Sequence, residues 1–371
     1  IRRQRQMCIR DSFNNMAGVL GADFMKTGAA LPFCDWVTRD AFAAMDVAGY
    51  NYGIKRYVHD LKKYPDRLIL GSETFCNDAY RFRELAKREP RLIGDFVWAG
   101  MDYIGETGVG AWEYEDYATL NIEYGWLTAG SGRVDLTGRA LGEAYYTRVA
   151  LEEASGPWLA VCPVNHTGDK HSPSAWKMSN AIDSWSWNGC EGRKANVEVY
   201  ARAASVSLVL NGREIGRKAM RNDCIARFSC TYEPGTLEAV AYDESGREIG
   251  RNQLVSASAE TRLNASVEYT GRELAYVRVR YTDEHGVTKP LERGTLRATL
   301  IGPDGKGGGA GGDADEAVGG AKLLGFGCAA PCNKGSFVTG ETGTYYGEAL
   351  AVVRMPQSQD CLLYTSDAAD E

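Results

Sequence analysis

The chain has 371 residues, 42 lysines and arginines against 49 acidic residues, and a formal net charge of −7 at pH 7. That mild acidity speaks against nucleic acid or an anionic membrane surface as a partner. No run of about 18 apolar residues is present to span a membrane as a helix, and the length suits two or three domains.

The two ends, residues 1–12 and 361–371, stand apart. One choice of codons for Arg2 to Ser12, read on the complementary strand, encodes the Cys-Leu-Leu-Tyr-Thr-Ser-Asp-Ala-Ala-Asp peptide that starts at Cys361. The tails therefore read as opposite strands of one DNA segment, which resembles a sequencing-library transposon adapter, and they are set aside from fold reasoning. On that reading the gene is open at both ends. A signal peptide, and with it a choice between bacterial cytoplasm and periplasm, cannot be read.

Residues 13–155 alternate helical and strand patterns. A helix ends over Phe42 to Met45, and Asp46 to Tyr50 reads as a short buried strand. Ile54 to Lys63 carries Ile54, Val58 and Leu61 at helical spacing and is stopped by Pro65. Leu68 to Leu70 is an apolar run bounded by Gly71, Ala79 to Lys87 a helix before Pro90, Leu92 to Trp98 a third strand, and Gly142 to Leu151 a closing helix. Strand, helix, strand, helix, strand predicts α/β organisation around a parallel sheet.

Beyond Pro157 the pattern is all-β. In residues 156–260, Asn211-Gly212 joins two strand-like runs as a hairpin, and Glu244-Ser245-Gly246 joins two more. In residues 261–358, Ala275 to Tyr281 alternates Val277, Val279 and Tyr281 against Arg278 and Arg280. Two β-sandwiches in series are expected, with the Gly-rich stretch 302–320 as a disordered loop insertion. That stretch lacks the Gly-Lys-Ser/Thr of a phosphate-binding loop. The ten cysteines form no Cys-x-x-Cys pair, so scattered reduced thiols are expected in place of a zinc site. Trp185 and Trp187 share one face of a strand by the period-two rule, and core packing is the expected role ahead of a surface glycan contact.

The chemistry gathers at three strand ends. Arg67 to Glu73 delivers a carboxylate after a buried strand, where (β/α)8 barrels place catalytic groups. The neighbouring strands end in Asn51-Tyr52 and in Trp98. A carboxylate to attack an anomeric carbon, a phenol to orient it and an aromatic face for sugar C–H groups are what a pyranoside site requires.

The segments DVAGYNYG (Asp46 to Gly53), ILGSE (Ile69 to Glu73) and DFVWAGMDYIGE (Asp95 to Glu106) resemble strands six, seven and eight of the catalytic barrel of glycoside hydrolase family 2, the β-galactosidase group. Ser184 to Tyr200 with Val206 to Lys218 resembles the immunoglobulin-like module that follows that barrel, and Leu323 to Cys332 with Thr344 to Arg354 resembles the family's C-terminal β-sandwich. The resemblance implies the C-terminal part of a (β/α)8 barrel followed by two immunoglobulin-like β-sandwiches. It makes Glu73 the nucleophile of a retaining exo-β-glycosidase, Tyr52 the residue orienting it, Trp98 the floor of the sugar subsite, and Asn51 and Tyr103 further subsite residues.

One departure limits this. The family's general acid lies in an Asn-Glu pair upstream of the nucleophile, and no Asn-Glu pair precedes Glu73. Retention requires two carboxylates about 5–5.5 Å apart, so the chain alone is expected to be inactive, with an open sheet edge where earlier strands would pair. Gly125 to Arg139 lacks the Asn-x-Lys of the family's glucuronidases, which favours a neutral sugar, galactose first. β-Glucuronidase or β-mannosidase specificity, or a non-catalytic carbohydrate-binding β-protein, are the competing readings. No cofactor or metal is assigned, since the Mg²⁺ ligands of some relatives would fall outside this sequence. The expected partner is a carbohydrate, with homo-oligomer formation left open.

Overall fold

The computed structural model describes residues 20–120, 124–301, 307–308, 321–355 and 362–367. The N-terminal tail 1–12 and all of the 302–320 stretch except Gly307–Gly308 lie outside them.

Three strands, β1 (Val47–Asn51), β2 (Leu68–Thr74) and β3 (Leu92–Val97), form a parallel sheet in the order β1-β2-β3. Helices Tyr57–Lys63 and Ala79–Ala86 make the two crossovers, as parallel pairing demands. The first carries Lys62 and Lys63 in its last turn, where cations complement the helix dipole. Two further helices, Ala22–Ala29 and Pro32–Ala43, precede β1, and the second begins with proline at its first position. The core between sheet and helices is built from Ala48, Tyr50, Ile54, Tyr57, Leu61, Ile69, Phe82 and Leu92.

Gly71 does not end its strand. β2 runs through it to Thr74, because the glycine serves a close approach and not a turn. A Cβ built there would stand 2.2 Å from Asp95 Oδ1 on β3. The sequence reading of Gly71 as a boundary is corrected accordingly, and Glu73 belongs to the strand itself.

The chain then turns antiparallel. Strands β4 (Trp158–Val161), β5 (Lys194–Tyr200), β6 (Ser205–Leu210), β7 (Arg213–Ala219), β8 (Ile225–Thr231), β9 (Thr236–Tyr242) and β10 (Glu248–Val255) make two sheets, β4-β5-β8 and β10-β9-β6-β7. Asn211 and Gly212 both sit at positive φ, 51° and 77°, in the β6–β7 hairpin, the conformation a two-residue turn requires. The sheets share one core, in which Trp185 and Trp187 are fully buried beside Val197, Val199, Leu208 and Ala239. These tryptophans do not lie on a strand: residues 183–187 are irregular. Each is fixed by an indole hydrogen bond, Trp185 to Glu233 O at 3.1 Å and Trp187 to Ser184 O at 3.2 Å.

The last part holds β11 (Arg262–Thr270), β12 (Leu274–Thr282), β13 (Leu296–Ile301), β14 (Gly307–Gly308), β15 (Lys322–Gly327), β16 (Glu341–Thr342), β17 (Glu348–Arg354) and β18 (Leu362–Asp367). One sheet runs β11-β12-β17-β15; β13 carries β14, β16 and β18. Val277, Val279, Leu296, Phe326 and Ala351 close the core between them. β18 belongs to the tail set aside as adapter-derived, and its backbone pairs with β13 from Leu296↔Asp367 to Ile301↔Leu362. An exposed strand edge recruits a partner through main-chain hydrogen bonds, whatever the side chains.

Candidate active site

The C-terminal ends of the three parallel strands converge. β1 and β2 run in register to Tyr50↔Gly71, then a shift sets Asn51 opposite Glu73. Tyr52 N–H donates to the Glu73 carbonyl at 2.6 Å, and Trp98 N–H donates to the Thr74 carbonyl at 2.9 Å. All three strand ends are thereby tied by main-chain bonds around Glu73. Tyr52 holds φ at +54°, a left-handed conformation that costs a non-glycine residue on the order of 1 kcal/mol or more.

The Tyr52 ring is buried against Phe75, with centroids 4.3 Å apart, and stands edge-on to Trp176. The Trp176 indole Nε1–H donates to the Tyr52 hydroxyl at 2.7 Å. Burial pushes the phenol far above its ordinary pKa; the Trp176 hydrogen bond opposes this, while the charge of Glu73 and a hydrogen bond to it push further up. Tyr52 therefore keeps its proton beside the Glu73 carboxylate, which lies half-buried at the strand end.

Trp98 packs on the cluster of Tyr52, Phe75, Ala175 and Trp176 with its ring still partly exposed. Its edge meets Tyr103 at a centroid distance of 5.6 Å and 77° between planes. The Tyr103 hydroxyl donates to Glu106 Oε2 at 2.5 Å, and its phenol is pushed up by burial and then by that carboxylate. Asn51 is exposed, and its Oδ1 accepts from Ser72 Oγ at 2.8 Å. The five residues singled out in the sequence thus fall in one neighbourhood. Two partners were missed. Phe75 stands two residues past Glu73, whereas Trp176 lies 124 positions from Tyr52 and has no local signal to announce it.

Behind the site, burial pushes the Asp95 carboxyl up to about 7, with nearby Asp78 raising it further against the lowering effect of Thr74. Asp78 itself is paired with the buried Lys26 at 3.0 Å. Among the described residues, no group of three or more His, Cys, Asp or Glu side chains is placed to hold a metal ion.

A cavity of about 570 Å³ lies elsewhere, between Arg139 and the strands β10 and β12. Its charges are already spent on one another: Arg139–Asp183 at 3.0 Å, Arg278–Glu268 at 3.0 Å and Arg280–Glu268 at 2.9 Å.

Residues 192–250 match the family described as "Domain of unknown function (DUF4982)". The chain is 27% identical over 228 residues to the Beta-galactosidase BoGH2A of Bacteroides ovatus, covering 59% of this chain and 22% of that protein. It is 26% identical over 192 residues to a Formosa agariphila protein provisionally named a beta-glucuronidase, covering 51% of this chain and 16% of that one. A crystal structure of a glycosyl hydrolase family 2 member from Bacteroides cellulosilyticus superposes with a TM-score of 0.74 at 28% identity, over 90% of this chain and 42% of that one. The chain thus spans less than half the length of each of these relatives. Sequence and fold together relate it to glycoside hydrolase family 2.

Proposed function

We propose that the chain carries the nucleophile-bearing part of a retaining, exo-acting β-glycosidase, with terminal β-galactosides as its substrates. In this reading residues 13–155 are the C-terminal part of a (β/α)8 barrel, and 156–260 and 261–358 are two immunoglobulin-like β-sandwiches. A Glu73 carboxylate oxygen attacks the anomeric carbon and forms a covalent glycosyl-enzyme as the aglycone oxygen departs; water then releases the sugar. Tyr52 holds the carboxylate through its retained proton. Trp98 offers an aromatic face to the sugar's C–H groups, and Asn51 and Tyr103 meet its hydroxyls.

The observation that carries this reading is a buried phenol beside a carboxylate at the end of a parallel strand, with the Tyr52 N–H bonded to the Glu73 carbonyl at 2.6 Å. The acid that protonates the leaving oxygen is assigned to a part of the protein outside this sequence, so the chain alone should not turn over an unactivated glycoside. The galactose assignment draws on the name of the Bacteroides ovatus relative and on the absence of an Asn-x-Lys between Gly125 and Arg139. The Glu106 carboxylate beside Tyr103 adds a negative charge that a uronate would have to approach. A 2-deoxy-2-fluoro-β-galactosyl fluoride tests the assignment without needing a general acid. Attack at C1 expels fluoride, and the adduct is located by peptide mass spectrometry. An adduct on Glu73 supports the reading; an adduct on another residue refutes it. Preference for the glucuronyl analogue would move the substrate class to uronides.

A further inference from the structure

Trp176 reaches the site from far along the chain, on the segment between β4 and β5. That segment is pinned to the α/β part almost residue by residue. Ser172 N–H donates to the Glu113 carbonyl at 2.9 Å, and Ser172 Oγ donates to the Ala111 carbonyl at 2.8 Å. Ser174 Oγ donates to the Val109 carbonyl at 3.0 Å, and Lys177 Nζ to the Gly132 carbonyl at 3.0 Å. Ser179 N–H donates to the buried Glu143 Oε1 at 3.1 Å, and Asn180 Nδ2 to the Tyr114 hydroxyl at 2.7 Å. The strap is therefore preorganised, and Trp176 is held in place before any ligand arrives.

A phenol has one proton to donate and an oxygen that can accept. With the Trp176 indole N–H donating into that oxygen at 2.7 Å, the phenolic proton cannot point at Trp176. The neighbouring carboxylate is that of Glu73, on the strand end tied to Tyr52 by the 2.6 Å main-chain bond. A donor into the phenol oxygen also polarises the O–H bond and strengthens what it donates. We propose that Trp176 is a positioning residue for the nucleophile: its indole N–H orients the Tyr52 hydroxyl so that the single phenolic proton is delivered to Glu73. The site is then assembled across the boundary between the parallel sheet and the antiparallel unit. This rests on Glu73 being the nucleophile, although the hydrogen-bond relay can be tested without that.

Two measurements on the full chain decide it. The first is the rate of Glu73 labelling by the fluoride reagent in a double-mutant cycle of Tyr52→Phe and Trp176→Phe. Trp176→Phe keeps an aromatic ring and removes the donor. It should slow labelling about tenfold, the scale of one hydrogen bond to a charged system, and should have no further effect once Tyr52→Phe is present. Losses that multiply would mean that Trp176 only packs, and the relay falls. The second reads the Trp176 indole N–H by ¹H–¹⁵N NMR and needs neither labelling nor the Trp176 variant. Glu73→Gln should move that resonance, and the response should vanish in a Tyr52→Phe background. A resonance indifferent to Glu73→Gln overturns the relay. A coupled resonance in a protein that never labels Glu73 leaves the relay standing and removes the nucleophile assignment instead.

Discussion

The parallel sheet and the antiparallel unit from Trp158 to Val255 close their cores in different ways. In the antiparallel unit two sheets face each other, and Trp185 and Trp187 fill the space between them with no exposed surface. In the α/β part, Phe96 on β3 remains 62% exposed, and Phe33 and Trp36 on the helix before β1 remain 63% and 61% exposed. Parallel sheets are ordinarily covered on both faces. The candidate site therefore sits on the less enclosed of the two frameworks. What steadies its strand ends is local and borrowed: main-chain ties from Tyr52 to Glu73 and from Trp98 to Thr74, and an indole brought in on a strap from the better-packed unit.

Breaking each framework should expose that contrast. The largest effect is expected at Trp185, where replacement by alanine should cost about 3–5 kcal/mol. A urea midpoint within error of the parent would contradict the account of that core. Asp95→Asn probes the α/β part. Because burial holds the Asp95 carboxyl at about 7 in the folded state, well above the unfolded value, the stability tied to it is fully present in acid and is lost as pH rises through about 7. The amide removes that loss, so Asp95→Asn should unfold at higher temperature than the parent at pH 8, by about 1–4 kcal/mol of stability, and the gap should narrow at pH 5. A gap that widens toward acid would reverse the assignment. The smallest effect belongs to the open face: Phe96→Ser should change stability by no more than about 0.5 kcal/mol, measured by the same unfolding curves. A large loss would mean that this face is covered after all.

Much of this was legible in the sequence, for a physical reason. Helical and strand periodicities are short-range, so β1 to β3, their crossover helices and the Asn211-Gly212 hairpin could be placed from neighbouring residues alone. The residues ending the parallel strands could be grouped because parallel strands share a direction, which puts Asn51, Tyr52, Glu73 and Trp98 at one edge. Gly71 was misread because a glycine that permits close packing and a glycine that ends a strand look the same until the neighbouring strand, here with Asp95, is in place. Trp185 and Trp187 were expected on a strand and are buried on an irregular segment instead, since burial of two alternating tryptophans does not require a ladder. Trp176 could not be placed at all, because its partner is fixed only by how the strap folds back on the first unit.

The central claim is that Glu73, held by Tyr52, is the group that bonds to the sugar. Its most direct measurement is mass-spectrometric mapping after exposure to 2-deoxy-2-fluoro-β-galactosyl fluoride, run on the parent chain and on Glu73→Gln. The account predicts one fluorogalactosyl group on the peptide containing Glu73 in the parent and none in the variant. Equal labelling of the two proteins, or a label on any other side chain, would contradict it.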